Sequence, residues 1–146
     1  MLKGLDPLLS PDLLHILAAM GHGDELAIVD ANFPATALAR RLVRLDGIEA
    51  PRALEAVLSL LPLDDFVAAP LAVMQDPNAT ADPPVVAAFR QAARAAEGRE
   101  VGVEALDRFV FYERARGAFA VLATGERRLY GNVLARKGVV RPAPSA

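Results

Sequence analysis

The apolar residues fall into alternating helical and continuous patterns. Ser10-Pro11-Asp12 offers a capping hydroxyl, a proline suited to a first helical turn and an acid beside the helix N-terminus. Leu13, Leu14, Leu17 and Met20 follow at helical spacing, which predicts a short amphipathic helix stopped by Gly21. After Gly21-His22-Gly23, the run between Glu25 and Asp30 is continuously aliphatic. That pattern predicts a strand covered on both faces, as in α/β sheets. Asp30-Ala31-Asn32-Phe33-Pro34 closes it, and Ala35 to Arg41 predicts one or two helical turns ahead of Leu42-Val43-Arg44-Leu45 and a turn at Asp46-Gly47.

The same alternation continues to the C-terminal end. Pro51 to Leu61 predicts a core-facing helix stopped by Pro62, Leu71 to Met74 a short strand, and Asp82-Pro83-Pro84 the start of an Ala-rich helix to about Ala96, ended by Gly98. Val101 to Leu106 has strand character, and Asp107 caps a helix from Arg108 to Ala115. Two more strands are expected at Ala118 to Thr124 and Asn132 to Ala135. Strands interleaved with helices predict an α/β class: one domain over residues 1–140, its sheet sandwiched between helices in three α/β/α layers. The pattern does not give the strand order. The Arg141-Pro142-Ala143-Pro144-Ser145-Ala146 tail is expected to be loosely ordered.

Composition narrows the function classes. The 146 residues suit one core, and two separately folded halves would each be marginal. Sixteen basic against eighteen acidic residues, with a formal net charge of −2, leave no strongly basic surface for a phosphate backbone, so no nucleic-acid partner is expected. The absence of cysteine removes thiol nucleophiles and thiolate metal sites, leaving two histidines as nitrogen ligands. Although 53% of the residues are hydrophobic, no unbroken apolar run approaches the roughly 20 residues of a membrane span. No membrane partner and no signal peptide are expected, and the reading is cytoplasmic. Subunit interfaces are one place for the surplus aliphatic surface.

Few residues are candidates for chemistry. His22 lies between two glycines directly before the buried strand, where a ligand can approach closely; the alternative is an exposed turn. His15 reads as structural on a helix flank. Asp30 ends an apolar run, where a carboxylate is expensive unless it pairs, and strand ends are where α/β sheets bind ligands. Their strand would hold His22 and Asp30 roughly 20 Å apart if fully extended. A shared site therefore needs a sharp fold-back of the Gly-His-Gly loop or a second subunit. Thr124-Gly125-Glu126 and Tyr130-Gly131-Asn132 bring a phenol, bare backbone and a carboxamide together, suited to sugar hydroxyls or simply to a hairpin turn. Arg108 with Phe109, Phe111 and Tyr112 is either a binding edge or a core stripe with Arg108 paired at the surface. Spacing favours the core for the phenylalanines. No nucleotide fingerprint, P-loop, nucleophile elbow or H-E-x-x-H pattern is present.

Taken in order, Gly21-His22-Gly23-Asp24-Glu25, Asp30-Ala31-Asn32-Phe33-Pro34, Phe111-Tyr112-Glu113-Arg114-Ala115, Thr124-Gly125-Glu126, Tyr130-Gly131-Asn132 and Lys137-Gly138-Val139 resemble the ribose pyranase and fucose mutarotase family from Leu2 to Val140. Tyr130-Gly131-Asn132 in place of Y-A-N, Arg108 in place of a histidine, and the F-Y-E-R-A segment make it similar to the fucose branch. The resemblance implies His22 as proton donor and Asp30, Arg108, Tyr130, Gly131 and Asn132 as the sugar-binding set, with Tyr130 a possible second proton carrier. It also implies a homo-oligomer, a decameric ring with sites between subunits. Interconverting the α and β anomers of L-fucose or a similar monosaccharide needs only proton transfers, so no cofactor and no metal are expected. The alternatives are a ribose pyranase-type interconversion, a non-catalytic monosaccharide-binding accessory, a structural assembly protein and a metal-dependent isomerase.

Overall fold

The computed structural model describes residues 1–145, and Ala146 lies outside them. The described residues form five helices and six strands that alternate as far as β5, which β6 follows directly: α1 (Pro11–Ala19), β1 (Glu25–Val29), α2 (Ala35–Leu38), β2 (Leu42–Leu45), α3 (Ala50–Leu58), β3 (Leu71–Met74), α4 (Pro84–Glu97), β4 (Val103–Leu106), α5 (Arg108–Gly117), β5 (Ala120–Thr124) and β6 (Val133–Arg136). The strands form one mixed sheet in the order β2-β5-β1-β6-β3-β4. β1 is parallel to β5, β5 to β2 and β3 to β4, whereas β6 is antiparallel to both β1 and β3. Five strands thus run one way and β6 alone runs back.

Side-chain alternation along β1 divides the interior into two layers. Leu26 and Ile28 face α1, α3 and α4, joining Leu13, Ile16, Leu54, Val57 and Phe89. Ala27 and Val29 face α2 and α5, joining Phe33, Ala35, Phe111 and Ala115. The expected α/β/α sandwich is present, with its thicker core on the α1, α3, α4 side.

Local chemistry sets the element ends. The Ser10 hydroxyl accepts from the Leu13 amide ahead of α1, and the Asp107 carboxylate accepts from the Phe109 amide ahead of α5. Gly98 ends α4 at φ 70°, the left-handed conformation that glycine adopts freely. Leu42 to Leu45, left unassigned by the sequence pattern, is the edge strand β2. Its mostly half-buried residues carry neither clean alternation nor a continuous apolar run. Residues 141–145 form neither helix nor strand, and Arg141 pairs with Asp65 at 2.7 Å. Among the described residues, no helix is long and apolar enough to cross a membrane.

Phe89 is fully buried where α4 packs against the sheet and α3. Phe89→Ala is expected to cost about 3–5 kcal/mol of stability in a urea titration, since such a cavity cannot collapse completely. A loss below about 1 kcal/mol would contradict this packing.

Candidate active site

Because five strands share one direction, the C-terminal ends of β1, β3 and β4 reach the same edge of the sheet as the start of β6. A cavity of about 210 Å³ lies there, lined by Asp30 and Asn32 after β1, Met74 ending β3, Arg108 and Tyr112 of α5, and Tyr130 and Asn132 before β6, with Phe33 and Leu129 completing its wall. It is smaller than the roughly 300–1,000 Å³ of drug-sized pockets, which suits one small molecule.

Its base is a reciprocal pair. The Asp30 amide donates to Asn132 Oδ1 at 2.8 Å, and Asn132 Nδ2 donates back to Asp30 Oδ2 at 3.0 Å. The Asn32 amide donates to Asp30 Oδ1, also at 3.0 Å. Burial raises the Asp30 carboxyl above the ordinary carboxylate range, and the facing Asn32 amide and Asn132 carboxamide only partly offset it. With two of about four lone-pair positions occupied, the carboxylate retains acceptors for ligand hydroxyls.

The strand order accounts for this convergence. A simple turn between β5 and β6 would make them neighbours, but β1 lies between them. The connection is therefore not a hairpin: it passes over the end of β1 and meets Asp30. Thr124 Oγ1 donates to the Val29 carbonyl at 2.7 Å, and the Glu126 carbonyl accepts from the Ala31 amide at 2.9 Å. The connection ends in a tight turn in which the Asn132 amide donates to the Tyr130 carbonyl at 2.8 Å. Tyr130 sits at φ 60°, a left-handed conformation costing a residue with a side chain about 1–3 kcal/mol. Gly131 leaves room for this turn, since a Cβ there would lie 2.6 Å from Glu126 Cγ. Gly131 thus contributes backbone and space.

α5 supplies the remaining polar wall. Phe111 and Ala115 face the sheet, whereas Phe109 is 62% exposed, so the core assignment holds for Phe111 and fails for Phe109. Phe109 lies in the first turn, on the side away from the sheet; the Arg108 guanidinium lies over its ring at 4.7 Å and lines the cavity. Tyr112 packs edge-on against Phe33 and also lines the cavity. Helical spacing alone merged Tyr112 with the apolar stripe; its position one residue after the inward Phe111 is the signal that distinguishes it.

His22 lies at the opposite edge. Its Nε2 is 3.1 Å from Asp64 Oδ1, its ring packs at 4.9 Å against Phe66, and 44% of its side chain is exposed. Burial pushes the Asp64 carboxyl up, but the Phe66 amide, His22 and Arg136 outweigh it and hold it below the ordinary carboxylate range. Arg136 Nε donates to Asp64 Oδ2 at 3.0 Å. There is no fold-back: one protomer brings Asp30, Arg108, Tyr130 and Asn132 together and leaves His22 at the far end of β1. Sequence reasoning passed over Asp64 because it stands after Pro62-Leu63 in a segment with no periodicity. His15 is exposed on α1.

An acceptor carboxylate, a guanidinium, two phenols and a carboxamide around a small cavity with an apolar wall give this α/β domain the donors and acceptors that a hydroxyl-rich small molecule hydrogen-bonds to. A model of the RbsD / FucU transport protein family matches residues 3–140, and the chain belongs to that family. It is 46% identical to an L-fucose mutarotase of Actinobacillus pleuropneumoniae over 95% of this chain and 97% of that protein. It is 47% identical to the fucose mutarotase of Homo sapiens over 98% and 97% of the two chains. The crystal structure of a fucose mutarotase in complex with L-fucose from Streptococcus pneumoniae matches with a TM-score of 0.90 and 39% identity, covering 96% of this chain and all of that one, 100%.

The Asp30–Asn132 pair yields a prediction with a definite sign. A group whose pKa is raised by folding stabilises the fold when protonated, and that contribution is lost as pH rises through the raised value. Asn132→Asp sets a second carboxylate against Asp30 Oδ2 and raises the shared titration further. The variant is expected to lose about 1–3 kcal/mol relative to the parent between pH 4 and pH 7, followed by thermal melts. A stability difference that does not change with pH would contradict the buried pair.

Proposed function

We propose that this chain is a mutarotase that interconverts the α and β anomers of L-fucose, with a site completed by a second copy of the chain. The observation carrying this reading is the hydroxyl-binding constellation of Asp30, Arg108, Tyr130 and Asn132 at the strand ends, in a chain close to named fucose mutarotases over nearly its whole length. Phe33, Met74 and Leu129 supply apolar surface suited to the methyl group of a deoxy sugar.

Anomer exchange needs the anomeric hydroxyl to lose a proton and the ring oxygen to gain one. The ring C–O bond opens to the aldehyde, which rotates and closes on its other face. Asp30, Arg108 and Asn132 hold the sugar hydroxyls, Gly131 allows backbone to approach, and Tyr130 at the cavity wall serves as second proton carrier. His22 is the proton donor. With Nε2 turned to Asp64, the other ring nitrogen, Nδ1, is free to exchange a proton with the sugar. Proton transfer by positioned groups supplies roughly 10²–10⁴-fold, and no cofactor enters the scheme.

His22 reaches this cavity from a neighbouring copy. Phe66 packs on His22 and is exposed together with its chain neighbour Val67, while Leu129 lines the cavity and Phe109, under the Arg108 that lines it, is exposed together with its chain neighbour Val110. Two different apolar patches on opposite edges suit a head-to-tail contact, the kind that closes rings. The decameric ring implied by the family resemblance is one such assembly.

Saturation-transfer NMR on equilibrated L-fucose tests the activity. Irradiating one anomeric proton is expected to diminish the other when the protein is present, and the transfer should survive a chelator. His22→Ala should abolish transfer while leaving sugar affinity largely intact. Binding without exchange would make the chain an accessory binder, and exchange confined to D-ribose would reassign it as a pyranase.

A further inference from the structure

The proton-transfer scheme leaves one buried carboxylate unused. Glu126 is 1% exposed and lines no part of the cavity. Burying a carboxylate is costly, so its partners matter. One oxygen, Oε2, accepts from the Ala50 amide at 3.1 Å and from Arg128 at 3.2 Å. The other, Oε1, accepts from the Arg128 amide at 3.1 Å and from Arg128 Nε at 2.6 Å. Burial raises this carboxyl, but the Arg128 side chain and the two amides outweigh that and hold it below the ordinary range.

These bonds tie three parts of the fold together. Ala50 opens α3, whose N-cap residue Glu49 makes no side-chain cap, so Glu126 satisfies an amide at a helix end that favours negative charge. Arg128 belongs to the connection that crosses over β1. Between these anchors, Glu126 Cγ stands directly behind Gly131, where a Cβ would collide at 2.6 Å. Gly131 is the middle of the turn that sets Tyr130 at φ 60° and brings Asn132 onto Asp30. The Glu126 carbonyl meanwhile accepts from Ala31, next to Asp30.

We infer that Glu126 is a positioning residue for the sugar site: its anchored side chain is the wall that keeps Tyr130 in its left-handed conformation and Asn132 paired with Asp30. This rests on the reading that Tyr130 and Asn132 handle the sugar. The role requires a carboxylate. Each oxygen faces two donors, so the NH₂ of a glutamine would meet donors whichever way the amide turned.

Glu126→Gln tests this, with exchange followed against L-fucose concentration, sugar affinity by titration, and thermal melts to count folded protein. Exchange per folded molecule is expected to fall about 10- to 100-fold, as a small misplacement of a reacting group would cause. In a Tyr130→Phe background the same change should cost at least about threefold less than in the parent, because one of the two residues it positions has already lost its hydroxyl and only the share acting through Asn132 remains. Exchange in Glu126→Gln within about twofold of the parent, or losses that multiply in the double variant, would overturn the role. If Glu126→Gln does not fold, Arg128→Met removes the guanidinium from the half-exposed side. It should give a smaller loss in the same direction, again reduced beside Tyr130→Phe, and an unchanged rate would overturn the proposal. A parent chain that binds L-fucose without exchanging it contradicts the mutarotase reading alone. Sugar affinity then carries the Glu126 test, with about a tenfold weakening expected and an unchanged affinity contradicting it.

Discussion

A strand buried on both faces can offer polar groups only where it starts and stops, and β1 is such a strand. Leu26 to Val29 are almost completely buried between two helical layers, and β1 has β5 on one side and β6 on the other. Within this segment a polar side chain would have no partner. Polar side chains are therefore pushed to its two ends, where Asp30 closes it and His22 precedes it. One backbone element thus fixes both the presence of two polar centres and their separation.

The edge carrying Asp30 is built by the connection from β5 to β6. Since these strands flank β1, the chain between them must pass across the end of β1, and each turn of that path is held by a buried acceptor: the Val29 carbonyl for Thr124, the Glu126 carbonyl for Ala31 and the Glu126 carboxylate for Ala50 and Arg128. The path ends in a strained tyrosine beside a carboxylate whose pKa burial has raised. Both features oppose folding locally and are outweighed by the core behind them. On the opposite edge Asp64 is buried as well, but His22, Arg136 and the Phe66 amide compensate its charge and hold its carboxyl below the ordinary range.

Much of this organisation was legible in the chain. Proline and capping residues announced α1, α4 and α5, and the uninterrupted Leu26-Ala27-Ile28-Val29 run announced a central strand with polar ends. The separation of His22 and Asp30 followed from strand geometry alone. Other features were not legible because they depend on strand order, which periodicity does not encode. A connection punctuated by Gly125, Gly131 and Asn132 is locally indistinguishable from a hairpin, so its passage over β1 and the burial of Glu126 were hidden. Phe109 and Phe111 share a composition and differ only in which side of α5 faces the sheet. Tyr112 and Asp64 entered through tertiary packing: one turns from the apolar stripe into the cavity, and the other is buried by a loop without periodicity.

In the proposed assembly, the two polar edges of a protomer become a single site when the His22 edge of one copy meets the Asp30 edge of the next. Mixing two variants tests this directly. His22→Ala and Asp30→Ala are each expected to be inactive alone, for want of the proton donor and of the hydroxyl-binding carboxylate. Unfolded and refolded together in equal amounts, they should regain L-fucose anomer exchange at about one interface in four, where an intact His22 edge faces an intact Asp30 edge. A mixture no more active than the sum of the two variants, with mixed assemblies shown to form, would contradict the shared site.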